Sequence, residues 1–391
     1  MAPHSIIYFD NAATSWPKPA ETLRAMEHYL LNIGANPGRS GHRLSLDAAR
    51  IIMDARAGVA ELFGIEDDLQ VVFTKNATEA LNLAIRGLLH PGDHAITSSM
   101  EHNSVMRPLR TLEREGVELS VLACSPSGEL DPADLSRSIR PGTRAIYLTS
   151  ASNVTGTLMP LKEVGTIARE HGLIFCVDAA QTAGSYPVDV EDLGIDLLAF
   201  TGHKSLYGPQ GTGGLYIRKG LEEKIRPLMV GGTGSRSEFE EQPDFLPDKF
   251  ESGTPNAVGL AGLEAGVRFV LNRGVPQIRA EEIRLAERLL HGLEEMPGVT
   301  VYGPGDPSRR IAVVSFTIQG LSPAEISLAL DEEENIMSRP GLQCAPSAHK
   351  TIGTFPVGTT RFSLGAFNTE DEVSAALEAV GRLASRVRRK T

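Results

Sequence analysis

Near the middle of the 391-residue chain stands the apolar run Leu173-Ile174-Phe175-Cys176-Val177-Asp178-Ala179-Ala180-Gln181, which closes on a carboxylate and an amide. Its length and composition are typical of a buried β-strand. Lys204 follows Asp178 in the glycine-flanked loop Thr201-Gly202-His203-Lys204-Ser205-Leu206-Tyr207-Gly208-Pro209. Such a loop can bring its lysine to the carboxylate at a strand end. The two stretches therefore predict a strand whose end faces a loop lysine.

A lysine amine beside a buried carboxylate is the pair that pyridoxal phosphate chemistry requires. Lys204 would form a Schiff base with the cofactor, and Asp178 would keep the pyridine nitrogen protonated, so that the ring accepts electrons from a substrate carbanion. Each residue alone has a commoner explanation, because an Asp after a strand often forms a turn or cap and a lysine beside glycines is usually solvated. The pair together predicts pyridoxal 5'-phosphate as the cofactor.

Short apolar runs alternate with helical patterns from about residue 70 to residue 220. Strand-like residues 70–74 precede helical residues 78–89, and strand-like residues 145–148 precede helical residues 161–171. This alternation predicts an α/β fold whose sheet is mostly parallel, with helices on both faces. Ligands bind such sheets at the carboxyl ends of the strands, where Asp178 stands.

After Pro255 the pattern changes to long helical segments, followed by single strands and helices. This predicts a smaller α+β domain packed on the large one. We assign residues 20–257 to a large α/β domain that binds the cofactor. Residues 1–19 and 258–391 are assigned to the small domain, which carries Cys344.

Ordered motifs run along nearly the whole chain. They are Tyr8-Phe9-Asp10-Asn11-Ala12-Ala13-Thr14, Thr78-Glu79, Glu101-His102-Asn103, Ser152-Asn153-Val154-Thr155-Gly156, Val177-Asp178-Ala179-Ala180-Gln181, Gly202-His203-Lys204, Glu251-Ser252-Gly253-Thr254-Pro255-Asn256 and Arg339-Pro340-Gly341-Leu342-Gln343-Cys344-Ala345. Together they resemble the class V aminotransferase family of fold-type I pyridoxal phosphate enzymes. Within that family the chain resembles the cysteine desulfurase and selenocysteine lyase group with a short catalytic-cysteine loop. The resemblance implies a seven-stranded-type sheet in the large domain and catalytic roles for Lys204, His102 and Cys344.

The stretch Asn76-Ala77-Thr78 lies between a predicted strand and a predicted helix. Unpaired backbone N–H groups and the helix dipole make such a junction an anion site, which would suit the cofactor phosphate. The commoner use of Asn76 or Thr78 is as a helix N-cap. The resemblance implies that Thr78 contacts the phosphate and that Thr201 and His203 complete its shell.

For the rest of the cofactor, the resemblance implies contacts from His102, Asn153, Gln181 and Thr254. His102 would stack on the ring and shuttle protons, since an imidazole near its unperturbed pKa can donate and accept. Asn153 and Gln181 would bond the ring 3'-oxygen, although both residue types also form turns. Thr254 would reach the phosphate of a neighbouring subunit, which implies a homodimer.

For the substrate, the resemblance implies that Arg361 clamps a carboxylate with two hydrogen bonds. Arg339, Arg39 and Asn153 are further candidates for the same region, and a surface salt bridge is the alternative for each arginine.

Cys344 lies between Pro340-Gly341 and Pro346, in a polar segment too broken for a strand or helix, so its sulfur should be reachable. The implied activity is that of a cysteine desulfurase. The Cys344 thiolate would take sulfur from L-cysteine as a persulfide, and L-alanine would leave. A positive group such as Arg361, Arg339 or protonated His102 should approach the thiolate.

Composition narrows the other possibilities. The formal charge of −11 and the lack of a basic cluster outside the tail at residues 386–390 argue against a nucleic-acid partner. No apolar run reaches the length of a membrane span and no apolar leader follows basic residues, which predicts a cytoplasmic protein with no membrane partner. The three cysteines lack the spacing of a disulfide framework or metal site, and Cys124 and Cys176 are expected to be small buried hydrophobes.

Three other functions remain open at this point. A selenocysteine lyase, which would take L-selenocysteine, would use the same lysine, aspartate and cysteine. A class V aminotransferase or epimerase would need no thiol at Cys344. A non-enzymatic binding module conflicts with the joint presence of Lys204, Asp178 and His102. A sulfur-acceptor protein is a further possible partner for a desulfurase.

Overall fold

The structure is a computed structural model that describes residues 6–38 and 40–388 of the chain. The strands are β1 Ile7–Tyr8, β2 Val71–Thr74, β3 His94–Ser98, β4 Glu118–Leu122, β5 Thr143–Thr149, β6 Ile174–Asp178, β7 Leu197–Thr201, β8 Gly213–Ile217, β9 Val299–Tyr302, β10 Val313–Ile318, β11 Ile336–Met337, β12 Arg339–Gly341 and β13 Thr359–Ser363. The α-helices are α1 Ala20–His28, α2 Arg43–Phe63, α3 Ala77–Leu88, α4 Asn103–Arg114, α5 Pro132–Ser138, α6 Leu161–Glu170, α7 Ala257–Arg273, α8 Val275–Glu294, α9 Pro323–Glu334, α10 Pro346–Thr351 and α11 Glu370–Arg388.

The large sheet has seven strands in the order β2-β8-β7-β6-β5-β3-β4. Strands β3 to β7 pair in parallel, whereas β8 is antiparallel to both of its neighbours. Strands β6 and β7 are buried along their whole length. Burial on both faces explains why their sequences are continuously apolar. The predicted mostly parallel α/β sheet is confirmed.

The carboxyl ends of β6 and β7 place Asp178 and Thr201 at the same edge of the large sheet. The paired positions Asp178 and Ala199 lie side by side, so the loop that carries Lys204 begins close to the Asp178 carboxylate. Helix α4 begins at Asn103 near this edge, directly after His102. The topology therefore gathers three predicted site residues at one edge of the sheet.

A second, antiparallel sheet has the order β12-β13-β10-β9. Its core contains Phe9, Phe316 and Phe362, with apolar residues of α8, α9 and α11 packed on them. Strand β1 pairs in parallel with β11, so the N-terminal segment joins this part of the molecule. This is the predicted smaller α+β unit. The domain boundary at residues 257 and 258 stays a prediction.

The cysteines differ from the expectation in one case. Cys176 is buried and Cys344 is exposed, as predicted, but Cys124 is only partly buried. The reason is topological, because Cys124 follows β4, which is the edge strand of the large sheet. Within the described residues, none of the helices combines the length and apolar composition needed to cross a membrane.

Candidate active site

A cavity of about 280 Å³ opens at the carboxyl edge of the large sheet and is closed on its other side by β12, β13 and the segment between β12 and α10. Most of the predicted site residues line it. They are Ala77, Thr78, His102, Asn153, Asp178, Gln181, Thr201, His203, Lys204, Arg339, Cys344 and Arg361.

Two predicted residues do not line this cavity. Thr254 is exposed and lines a separate cavity of about 390 Å³, so any contact with a cofactor would have to be made in a partner subunit. That assignment stays a prediction. Arg39 lies outside the described residues.

The Lys204 loop is fixed by the N-terminal segment of the chain. The hydroxyl of Ser15 donates to the Lys204 carbonyl at 2.8 Å, and the Ser15 backbone N–H donates to the His203 carbonyl at 3.0 Å. A side chain at Gly202 would collide with the hydroxyl of Thr212. The loop thus needs glycine at that point because another segment approaches closely.

The charges of Lys204 and Asp178 are set by burial. Burial lowers the pKa of Lys204 to about 8, although the Asp178 carboxylate opposes the shift. Burial raises the pKa of Asp178, which the N–H of Ala180 at 2.9 Å and the Lys204 charge oppose. Loss of hydration therefore outweighs the attraction between the two groups. An amine with this pKa has an appreciable neutral fraction near pH 7, which a nucleophile or base requires.

His102 is the N-cap of α4. Its Nδ1 accepts the backbone N–H of Ser104 at 3.1 Å, so in the neutral ring the proton is on Nε2. Burial above all, together with the nearby charges of Lys204 and Arg361, lowers the pKa of His102 to about 4. The expectation of an imidazole near its unperturbed pKa, able to stand protonated beside the thiolate, was therefore wrong. Burial among cations keeps this ring neutral.

The N-terminus of α3 forms one corner of the cavity. Asn76 is the N-cap and accepts the N–H of Glu79 at 3.0 Å, which is the alternative that the sequence left open for this residue. Thr78 instead contacts the hydroxyl of Ser104 at 2.8 Å. Within the described residues, three buried polar atoms of lining residues have no partner: the Thr201 hydroxyl, Nδ1 of His203 and Nε of Arg361. Buried polar atoms normally have partners, so these three indicate a polar ligand.

Arg361 is 2% exposed and projects from β13. Its Nη2 bonds a carboxylate oxygen of Asp10 at 2.7 Å, and its Nη1 donates to the carbonyl of Asn153 at 3.0 Å. Nε is buried and has no partner in the described chain. Arg339 is exposed and sits opposite Arg361 across the β12–β13 pair. The two arginines make this wall of the cavity suitable for a carboxylate.

Cys344 lies in the turn between β12 and α10. Both Gln343 and Cys344 have left-handed backbone angles, with φ of 40° and 60°. Outside glycine this region is disfavoured by roughly 1–2 kcal/mol per residue. The carbonyl of Gln343 accepts the side-chain amide of Asn153 at 2.7 Å, and the carbonyl of Cys344 accepts the N–H of Asn103 at 2.9 Å. Two strained residues in succession are thus held from the large-sheet side.

Sequence reasoning missed several residues at the site, above all Ser104 and Gln343. Ser104 links Thr78 to His102, and Gln343 adjoins the thiol. The signal for Ser104 was its place two residues after a predicted site histidine. Other lining residues were not predicted either: Ala12, Ala13, Thr149 and Ala180.

Comparison with known proteins gives a consistent result. A family model described as aminotransferase class V matches residues 7–376. A probable cysteine desulfurase of Pyrococcus abyssi is 37% identical, over 98% of this chain and 95% of that protein. One of Methanothermobacter thermautotrophicus is 35% identical, over 97% of this chain and 94% of that protein.

Solved structures agree with these sequence relatives. The apo structure of a cysteine desulfurase from Thermococcus onnurineus NA1 matches with a TM-score of 0.92 and 36% identity, covering 97% of this chain and 95% of that one. A cysteine desulfurase from Escherichia coli matches with a TM-score of 0.86 and 30% identity, covering 98% and 95%.

Proposed function

The chain belongs to the class V aminotransferase family, and from this premise we propose that it is a cysteine desulfurase that converts L-cysteine into L-alanine and an enzyme-bound persulfide. One observation carries the proposal. An exposed thiol, Cys344, lines the same cavity as Lys204 and the buried Arg361. An aminotransferase or epimerase would have no use for a thiol in that place.

Pyridoxal 5'-phosphate fits the residues of the cavity. The N-terminus of α3 and the unpartnered polar atoms of Thr201 and His203 offer donors for its phosphate. Asp178 can hold the proton of its ring nitrogen, and Lys204 can attach it covalently. When bound, the cofactor would supply the electron sink that makes the Cα–H and C–S bonds of the substrate breakable.

The chain's own residues then perform the remaining work. The unpartnered Nε–H of Arg361 and the exposed guanidinium of Arg339 would bind the substrate carboxylate. Lys204, with its lowered pKa, would take the proton from Cα and return it. His102, with its proton fixed on Nε2, would act as a neutral donor to the bound groups.

Cys344 completes the reaction as a nucleophile. Its thiolate attacks the substrate sulfur, an S–S bond forms and the C–S bond breaks. The electron pair of the C–S bond stays on the carbon skeleton, which takes up a proton and leaves as L-alanine. The sulfur is oxidised and the carbon reduced by the same electron pair, so no external oxidant or reductant is needed.

The test is detection of the persulfide. Purified holoenzyme treated with L-cysteine and then with an alkylating reagent should carry one added sulfur on the peptide that contains Cys344. The peptides of Cys124 and Cys176 are the internal controls, because both thiols are less exposed. Alanine formation without sulfur on Cys344 would contradict the proposal.

We also propose that the enzyme acts as a cytoplasmic homodimer that passes its sulfur to an acceptor protein. Support for the dimer comes from the cavity that contains Thr254. Its surroundings expose Leu228, Met229 and Val230, which a soluble monomer would be expected to cover. Sedimentation analysis of the holoenzyme tests this, and a monomer at micromolar concentration would contradict it.

A further inference from the structure

We propose that Gln343 and His349 are positioning residues for sulfur transfer, which hold Cys344 in the left-handed backbone that presents its thiol to the cavity. This inference rests on the proposed function, in which Cys344 is the sulfur acceptor. Neither side chain is required to touch the substrate. Both act through the backbone of the turn between β12 and α10.

The turn does not hold itself in place by backbone preference. Gln343 and Cys344 both have positive φ, which non-glycine residues avoid. Such strain persists only where the surrounding contacts determine the conformation. Cys344 is exposed, so burial of its side chain does little to hold the turn. The restraint must therefore come from its neighbours.

Gln343 supplies the first part of that restraint. It is 5% exposed, and its side-chain amide donates to the carbonyls of Arg339 at 3.2 Å and Thr359 at 2.8 Å. These carbonyls belong to β12 and β13, the strands that bear the two arginines of the site. With both N–H groups donated, the amide oxygen is left facing His349, 2.7 Å from its Nε2. The side chain thus uses its full donor capacity inside the turn.

His349 supplies the second part. It is fully buried on α10, and its Nε2 must carry the proton because the amide oxygen of Gln343 can only accept. Nδ1 is then free to accept from the hydroxyl of Thr354 at 2.7 Å. Burial lowers the pKa of His349 to about 4, so the ring stays neutral in this tautomer at physiological pH. Helix α10 and β13 are thereby tied through one amide.

The arrangement assigns distinct roles to charge and to position. Arg361 lines the same cavity as the thiol and provides positive charge whatever the loop does. The orientation of the thiol depends on the uncharged chain from Thr354 through His349 to Gln343. Loss of this chain should therefore weaken sulfur transfer and leave substrate and cofactor binding intact.

The experiment compares four variants of the holoenzyme. Gln343→Met keeps the volume of the side chain and removes its hydrogen bonds, while His349→Ala removes the donor to the amide. Thr354→Val removes only the hydroxyl from a partly exposed residue, so it keeps the test usable if a buried change prevents folding. Ser347→Ala, on the same helix with its side chain outside the network, is the matched control.

Two measurements are made on each variant. The kcat for alanine formation should fall roughly tenfold or more in Gln343→Met and His349→Ala, with KM for L-cysteine within about threefold of wild type. Backbone hydrogen exchange of the peptide spanning residues 340–346 should quicken in the same variants without change at β6. Thr354→Val should show smaller changes in the same direction, and Ser347→Ala none.

The outcomes separate this inference from the proposed function. Unchanged exchange at residues 340–346, or an unchanged kcat, in both Gln343→Met and His349→Ala would overturn the positioning role. A rise in KM that accounts for the whole loss would also overturn it, because the residues would then act on substrate binding. If wild-type enzyme forms no persulfide, the proposed function fails, while the exchange data still report whether the pair holds the turn.

Discussion

The two walls of the cavity are built by different means. On the large-sheet wall, Asp178 stands at a strand end and His102 at a helix N-terminus, so regular backbone places both. On the opposite wall, Cys344 sits in a strained turn that side-chain hydrogen bonds hold in place. Regular backbone positions groups that must stay fixed. A turn held by a few side chains suits a group that must meet the substrate and later release sulfur.

This difference predicts how the walls fail. Changes on the large-sheet wall should weaken or remove the cofactor chemistry itself, on which every later step depends. Changes on the opposite wall should stop only the transfer of sulfur.

The largest effect is expected for Lys204→Ala. Covalent attachment of the cofactor and all turnover should be lost, since Lys204 is the only lysine among the described residues that line the cavity, and it would serve as both attachment point and base. The measurement is the visible absorption of the purified protein together with alanine formation. Lys18→Met is the control for loss of a lysine beside this loop. The Lys18 ammonium bonds the His203 carbonyl at 2.7 Å. Turnover by Lys204→Ala would contradict the cofactor assignment.

Cys344→Ser should leave the chemistry of the large-sheet wall intact and stop the sulfur transfer that depends on the opposite wall. The variant should bind pyridoxal phosphate and change its visible spectrum with L-cysteine, while alanine formation falls by roughly a thousandfold or more, because a hydroxyl carries almost no anion at neutral pH. Cys124→Ser is the matched control, since it replaces a thiol that does not line the cavity. Retained turnover of L-selenocysteine by Cys344→Ser would favour a selenocysteine lyase. Full alanine production from L-cysteine by Cys344→Ser would show that sulfur transfer does not need this thiol, so the two walls would not have separate roles.

Asp178→Asn, on the large-sheet wall, should lower turnover without abolishing it. A neutral amide cannot hold the ring-nitrogen proton, and we expect turnover to fall by roughly a hundredfold to ten-thousandfold while the fold is kept. Near-normal turnover with unchanged thermal unfolding would mean that another carboxylate fills this role. Glu101 is one alternative to examine, because it is fully buried, and the Asp178 charge adds to the effect of burial in raising its pKa to about 8.

The smallest effect concerns pH. Burial lowers the pKa of Lys204 to about 8, and only the neutral amine attacks the cofactor aldehyde. The rate at which cofactor-free protein takes up pyridoxal phosphate should therefore rise with pH through about 8. A midpoint near the ordinary lysine pKa of about 10.4 would show that the amine is hydrated before the cofactor binds. Stopped-flow absorbance across this range provides the measurement.

The sequence predicted the structure of the large-sheet wall better than that of the opposite wall. Strand ends and helix starts follow from local patterns, and the predicted helix at residues 161–171 corresponds to α6 at Leu161–Glu170. The strand after Leu173 likewise ends at Asp178, as predicted. The carboxyl ends of parallel strands lie at one edge of the sheet. Motif residues at those ends could therefore be placed near one another from the sequence alone.

The conformation of the opposite wall depends on contacts that no local sequence pattern contains. The side chains of Gln343 and His349 meet beside a turn in which Gln343 and Cys344 have positive φ, an unusual backbone angle for residues other than glycine. The neutral state of His102 was missed for a related reason, because burial and neighbouring cations become visible only in three dimensions. Sequence identified the residue types here, whereas their protonation and restraint came from packing.

Asn153 joins both walls. Its side-chain amide bonds the Gln343 carbonyl beside the thiol, and its own carbonyl accepts Nη1 of Arg361. A substitution at this one position would remove the side-chain bond beside the thiol, and any shift of the backbone that followed would reach Arg361 through the Asn153 carbonyl. Its effect should therefore be strongly non-additive with changes at Gln343 or Arg361. For protein engineering, residue 153 is a poor place to adjust one property alone, because this residue contacts both the turn that carries the thiol and the guanidinium of Arg361.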